Sequence, residues 1–196
     1  MWDQRYSEPG FAYGSEPNDF LVGSAGRLAP GSRVLCVAEG EGRNAVYLAG
    51  LGHRVTAVDA SSVGLAKAAA LARARGVQIE TVCADLATYE PGERCWDAVV
   101  SVWAHLPPSV RVAAHARMVR ALAPGGWLLL EAYAPEQLAL NTGGPRSEEL
   151  LYPLDVLRVD FEGLSFEQEW TGEREVREGR YHQGRSAVVQ VVAKKG

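Results

Sequence analysis

Apolar runs and helical patterns alternate along most of the chain. Val34 to Ala38 is a continuous apolar run of the kind shown by a strand buried on both faces, and it passes through Glu39-Gly40-Glu41-Gly42 into a helix predicted from about Gly42 to Gly50. Arg54-Val55-Thr56-Ala57-Val58-Asp59 predicts a second strand. Ser61 or Ser62 then caps a helix over Val63 to Arg75, where Ala66, Ala69, Ala70 and Ala74 predict a small-residue packing face and Gly76 the stop. Val77 to Cys83 and Trp96 to Val102 read as the third and fourth strands. The helix opened by Pro107-Pro108 carries Val110, Ala114, Met118, Ala121 and Leu122 on one face, Pro124-Gly125-Gly126 breaks it, and Trp127 to Tyr133 is a fifth strand.

Beyond Tyr133 the rhythm changes. A Gly/Pro loop, Asn141 to Pro145, leads to a helix predicted over Glu148 to Phe161. Leu164 to Glu178 and Arg185 to Ala193 are extended segments around Glu178-Gly179-Arg180, and so short a turn makes them antiparallel. Residues 1–30 hold Trp2, Tyr6, Phe11, Tyr13 and Phe20, with a helical stretch around Asp19 to Leu28, and serve either as a packing arm or as a lid. The pattern predicts an α/β fold: a doubly wound, mainly parallel sheet that ends in an antiparallel hairpin. It is expected to be one domain over residues 1–196, with an arm (1–30), a ligand-binding core (31–135) and a C-terminal helix and hairpin (136–196).

Composition narrows the partners. The net charge of -4, with both signs spread along 196 residues, leaves no basic stripe for a phosphate backbone, so nucleic acid is not an expected partner. The polar start and the absence of any run long enough to span a bilayer point away from membranes and toward a cytoplasmic protein. Cys36, Cys83 and Cys95 have no metal-type spacing and are expected to be buried free thiols; no metal is implied.

In a parallel sheet the carboxyl ends of the strands meet at one edge, where such folds bind ligands. That edge collects Glu39, Asp59, Asp85, the stretch Ser101 to His105, and Tyr133. Gly40 and Gly42 allow a tight turn and close ligand approach, and the free N–H groups opening the following helix suit a cofactor carboxylate or phosphate. Asp59 can accept from both ribose hydroxyls and Asp85 from an adenine amino group, although each could instead cap a helix or turn. Gly40-x-Gly42-x-x-Ala45 also fits a dinucleotide fingerprint, so a nicotinamide-dependent oxidoreductase remains open.

Here the chain resembles the class I S-adenosylmethionine-dependent methyltransferases. Glu39-Gly40-Glu41-Gly42 looks like their acid-x-Gly-x-Gly motif, Asp59 like their ribose acid, Asp85 like their adenine contact, and Pro124-Gly125-Gly126 like their turn into strand five. Trp2-Asp3-Gln4-Arg5-Tyr6, Gly42-Arg43-Asn44 and the small size look more like the branch that contains tellurite-resistance and thiopurine methyltransferases. The resemblance implies strand order 3-2-1-4-5-7-6, S-adenosylmethionine as cofactor, and a site in which Ala60, Leu86 and Ser101 join the acids and glycines. Cys36 and Glu39-Gly40-Glu41 depart from the common acid and Gly-Cys-Gly turn. Glu41 is therefore expected to face solvent or to pair with Arg43.

Methyl transfer to a thiol or soft chalcogen anion needs little proton removal, whereas an oxygen or nitrogen acceptor needs a base. His105 is the candidate base, the alternative being a histidine that satisfies its own loop, and Tyr133 is the candidate positioning group. Arg43 or Arg5 could hold an anionic acceptor, and Trp2, Tyr13, Trp103, Arg180 and His182 are expected at the mouth or lid. The expected acceptor is a small thiol, chalcogen oxyanion or heterocycle, handled by a monomer or homodimer. A non-catalytic cofactor-binding protein is the third reading.

Overall fold

The computed structural model describes residues 2–196. Seven strands form one sheet: β1 (Arg33–Val37), β2 (Arg54–Asp59), β3 (Glu80–Cys83), β4 (Trp96–Val102), β5 (Leu122–Tyr133), β6 (Leu164–Glu178) and β7 (His182–Lys195), in the order β3-β2-β1-β4-β5-β7-β6. The first five run parallel, and β7 pairs antiparallel with both β5 and β6. Helices α3 (Arg43–Gly50), α4 (Ser62–Ala74) and α5 (Pro108–Ala121) are the crossovers that parallel pairing requires. Each face of the sheet carries its own core, one built on Leu35, Val99, Leu128 and Val191 and the other on Val34, Cys36, Val100 and Leu129, as the period-2 alternation dictates.

The core of the molecule follows the hydrophobic pattern, and the departures have local causes. β3 begins at Glu80, not Val77, its pairing with β2 starting at Thr56; as an edge strand it leaves Cys83 exposed, contrary to the expected buried thiol. α4 turns Gly64, Leu65, Ala68, Leu71 and Ala72 inward, while Ala66, Ala70 and Ala74 face solvent, because the two leucines outweigh the alanines in choosing the buried face. Pro153 splits the helix expected over residues 148–161. A single 3-10 turn, Glu148–Leu150, precedes the break and α6 (Leu154–Asp160) follows it. The arm contains two helices, α1 (Trp2–Tyr6) and α2 (Asp19–Ser24), the second capped by the Asn18 side chain and continued by a 3-10 turn.

Candidate active site

The carboxyl ends of β1 to β4, the arm and the β6–β7 turn enclose a cavity of about 1130 Å³. Acids line one wall. Glu39, Asp59 and Asp85 follow three adjacent strands and all border the cavity, together with Ala60 and Leu86. Asp59 is buried; its Oδ2 accepts the Gly40 N–H at 2.8 Å and its Oδ1 the Ser61 N–H at 2.8 Å. Burial raises its pKa above the usual carboxylate value against the pull of those two donors. Asp85 is exposed to the cavity, with Oδ1 accepting from the Ala87 N–H at 2.8 Å.

The glycine turn does something other than what its spacing predicts. Glu39 Oε1 accepts the Ala45 N–H at 2.7 Å, so a carboxylate of the chain itself occupies the N-terminus of α3, where a cofactor carboxylate or phosphate was expected. Burial pushes the Glu39 carboxyl up to about 7. Gly40 and Gly42 are not on the cavity wall. A Cβ on Gly42, at φ +88, would come within 2.4 Å of the Ala68 Cβ, and one on Gly40 within 2.5 Å of the Tyr6 hydroxyl. Gly42 therefore makes room for α4, and Gly40 for the arm. Ser101 is also off the wall, buried within β4 between Val37 and Leu130 of the neighbouring strands.

Nor does Glu41 face solvent or pair with Arg43. Its Oε2 accepts the Ala12 N–H at 2.7 Å and its Oε1 pairs with Lys67 Nζ at 2.9 Å, which fastens the arm to α4. Arg43 turns instead to Glu178. Glu178 also accepts Trp103 Nε1 at 2.6 Å, Asn18 Nδ2 at 2.8 Å and Arg174 Nη2 at 3.2 Å. Arg174 in turn grips Glu131 with two nitrogens, at 2.8 and 2.6 Å. Burial works to raise the Glu178 pKa, but Arg43 and its other donors hold it below the usual carboxylate range. Arg43 is thus committed to a buried pair and is not a free anion holder.

Another part of the lining is aromatic. Trp103, at φ +59, stacks on Tyr133 with centroids 4.4 Å apart, and His182 lies 5.1 Å from Trp103 and 4.5 Å from Tyr13. Trp2, Arg5, Tyr13 and Arg180 border the same space, as does Tyr181, whose ring Arg5 covers at 4.6 Å. The arm helix, held by Tyr6 over Gly40, and the loop Asn141 to Arg146 complete the enclosure. That loop has no residue pattern that marks it as part of a site.

His105 borders the cavity, but both of its nitrogens are taken. Nδ1 lies 2.7 Å from the Leu150 carbonyl, to which it donates, and Nε2 accepts the Tyr133 N–H at 3.3 Å. Burial lowers its pKa to about 4. This is the loop-satisfying arrangement, and a lone pair held by a backbone N–H is not offered to a substrate. Tyr133 is fully buried beneath Gly144 and does not reach the cavity wall, so it cannot position an acceptor directly.

His182 has no hydrogen bond at Nδ1, and burial lowers its pKa to about 3. Its folded-state value lies below the unfolded 6.5, so the folded protein resists protonation and stability drains away as the pH falls below about 6.5. In urea titrations, wild type should lose about 1.4 kcal/mol more per pH unit than His182→Gln between pH 6 and 4. Parallel curves for the two proteins would show that His182 is not held neutral.

A mainly parallel sheet of order 3-2-1-4-5-7-6 with β7 antiparallel, and an acid after each of its first three strands facing one cavity, is the class I methyltransferase fold. Residues 34–126, the heart of that sheet, match the family model described as a methyltransferase domain. Among solved structures, a protein from work on conversion of a disulfide bond into a thioacetal group in echinomycin biosynthesis superposes with a TM-score of 0.77. It is 21% identical, over 96% of this chain and 85% of that one. TehB from Haemophilus influenzae gives 0.75 at 18% identity, over 100% of this chain and 66% of its own. The N-methyltransferase NodS from Bradyrhizobium japonicum gives 0.69 at 17%, over 90% and 92%. These likenesses are of fold. No curated protein matches significantly in sequence. Among the described residues no helix is long and apolar enough to cross a membrane, and no cluster of ligating side chains is placed to hold a metal ion.

Proposed function

We propose that the chain transfers a methyl group from S-adenosylmethionine to a small-molecule acceptor. The observation that carries this reading is the joint presence on one cavity of three strand-end acids and an aromatic, arginine-bearing lining. Glu39, Asp59 and Asp85 suit a cofactor that bears a sulfonium, an ammonium and a ribose diol. They suit a pyrophosphate poorly, and Glu39 already fills the helix N-terminus that a dinucleotide would need. Asp59 is assigned to the ribose hydroxyls, Asp85 and Leu86 to the adenine end, and Glu39 to the cationic methionyl end.

When bound, S-adenosylmethionine supplies an activated methyl group; transfer breaks the carbon–sulfur bond, leaves the electron pair on a neutral thioether and forms the bond to the acceptor. The residues of the chain align the acceptor and keep water out. Trp103, Tyr13 and His182 form the surface against which an acceptor packs, and the arm closes over it. Since His105 has no free lone pair, the favoured acceptors reach the site already nucleophilic: a thiolate, a chalcogen oxyanion or an unprotonated ring nitrogen. The likeness to TehB and to the N-methyltransferase NodS supports the small-molecule branch.

Calorimetric titration with S-adenosylmethionine, S-adenosylhomocysteine and NADH tests the cofactor, followed by methyl transfer to thiols, selenium and tellurium oxyanions and heterocycles. Binding of the first two alone is expected. Binding of NADH alone would make this an oxidoreductase-like domain, and cofactor binding without turnover on any acceptor would favour a non-catalytic protein.

A further inference from the structure

The cations around the cavity are mostly spent. Arg43 is paired with Glu178, Arg180 with Glu8 at 3.0 Å, and Lys67, behind the wall, with Glu41. Arg146, on the loop that borders the cavity, has no acid partner among the described residues, but it is exposed and donates to Asn141 Oδ1 at 2.7 Å with no aromatic ring holding its guanidinium. Arg5 differs. It borders the cavity, Nη1 donates to the Tyr13 hydroxyl at 2.7 Å, and the guanidinium lies over the Tyr181 ring at 4.6 Å and the Trp2 ring at 5.3 Å. No carboxylate of the described residues pairs with it. Aromatic faces and one hydroxyl hold the fork in place while its remaining N–H groups stay available. An arginine fixed in this way is prepared for bidentate pairing with a planar carboxylate.

A second observation says why such a group is needed. The N-terminus of α3, the usual seat for a ligand anion at a glycine turn, is filled by Glu39. Any carboxylate entering the cavity must be met elsewhere. Arg5 is one residue from Tyr6, whose hydroxyl packs on Gly40 of that same turn.

We propose that Arg5 is the carboxylate-binding group of this cavity, so that a bound carboxylate draws the N-terminal arm onto the site. The inference rests on the methyltransferase reading. The carboxylate has two sources, the methionyl end of the cofactor or an acid group on the acceptor, and binding measurements separate them. Wild type and Arg5→Gln would each be titrated with S-adenosylhomocysteine and with 5′-methylthioadenosine, which keeps the nucleoside but lacks the amino acid. Both proteins, saturated with S-adenosylhomocysteine, would then be titrated with 2-naphthoate and with 2-naphthamide. Circular dichroism would check the fold of the variant.

A loss of about tenfold or more is expected for a carboxylate-bearing ligand and less than about twofold for its uncharged counterpart, with partial recovery in Arg5→Lys. Loss confined to S-adenosylhomocysteine assigns the cofactor carboxylate; loss confined to 2-naphthoate assigns the acceptor. Equal loss for charged and uncharged ligands, or no loss for any, overturns the proposal. Failure of the wild-type protein to bind either nucleoside would instead remove the methyltransferase reading beneath it.

Discussion

Replacing Glu178 by alanine is expected to cost about 3–5 kcal/mol of folding stability, the usual price of leaving a buried charge without its partner. Glu178 is 6% exposed and faces Arg43 and Arg174, whose only other buried acid within this group is Glu131. Two acids and two arginines balance, and removing one acid strands a positive charge beside the sheet. Denaturant unfolding of the variant reads the loss directly. Glu178→Gln/Arg43→Met, which removes one charge of each sign, should recover a large part of it. A single variant as stable as wild type would show that water or rearrangement already screens these charges. The same substitution frees the Trp103 indole N–H and the Arg43 guanidinium, both on the cavity wall, so ligand affinity should fall along with stability.

The second large effect belongs to Asp59. Asp59→Ala should weaken S-adenosylhomocysteine binding by about 1.5–3 kcal/mol, or roughly ten- to a hundredfold, the worth of hydrogen bonds made to a charged group. Part of the effect is indirect, because Asp59 also accepts the Gly40 and Ser61 N–H groups and so holds the turn to the start of α4. Asp59→Asn separates the two contributions. It keeps the size and one carbonyl oxygen but turns a donor toward one of those N–H groups. A folded Asp59→Asn protein with wild-type affinity for the nucleoside would remove Asp59 from the ribose.

The parallel half of the sheet is legible because its strands are mostly apolar, and the acids that border the cavity are legible because they stand at strand ends. The meaning of the glycines is not. Gly42 permits close approach, as its spacing suggests, but the neighbour that approaches is Ala68 of the next helix. Sequence spacing records that room is needed, not what fills it. The sequence puts His105 at the cavity edge and leaves its chemistry open; only the positions of the Leu150 carbonyl and the Tyr133 N–H decide between base and loop histidine. The charged cluster under the cavity was invisible for a different reason. Asn18, Arg43, Glu131, Arg174 and Glu178 come from four distant parts of the chain, and each looks locally like an ordinary surface residue. Nothing in a window of a dozen positions reveals that Glu131 is fully buried.

That cluster also bears on how the molecule is made. Asn18 meets Glu131 across 113 positions and Glu178 across 160, and Arg180 reaches Pro9 across 171. Contacts between such remote points close the longest loops, and chains that depend on them fold slowly. During synthesis, residues 31–135 can assemble their parallel strands while the hairpin is still inside the ribosome; the arm can then reach Glu41 and α4 but lacks its partners Glu178 and Arg180. The cavity is therefore expected to be the last part of the protein to form, and a chain ending before Glu178 would keep most of its sheet yet leave the cavity open.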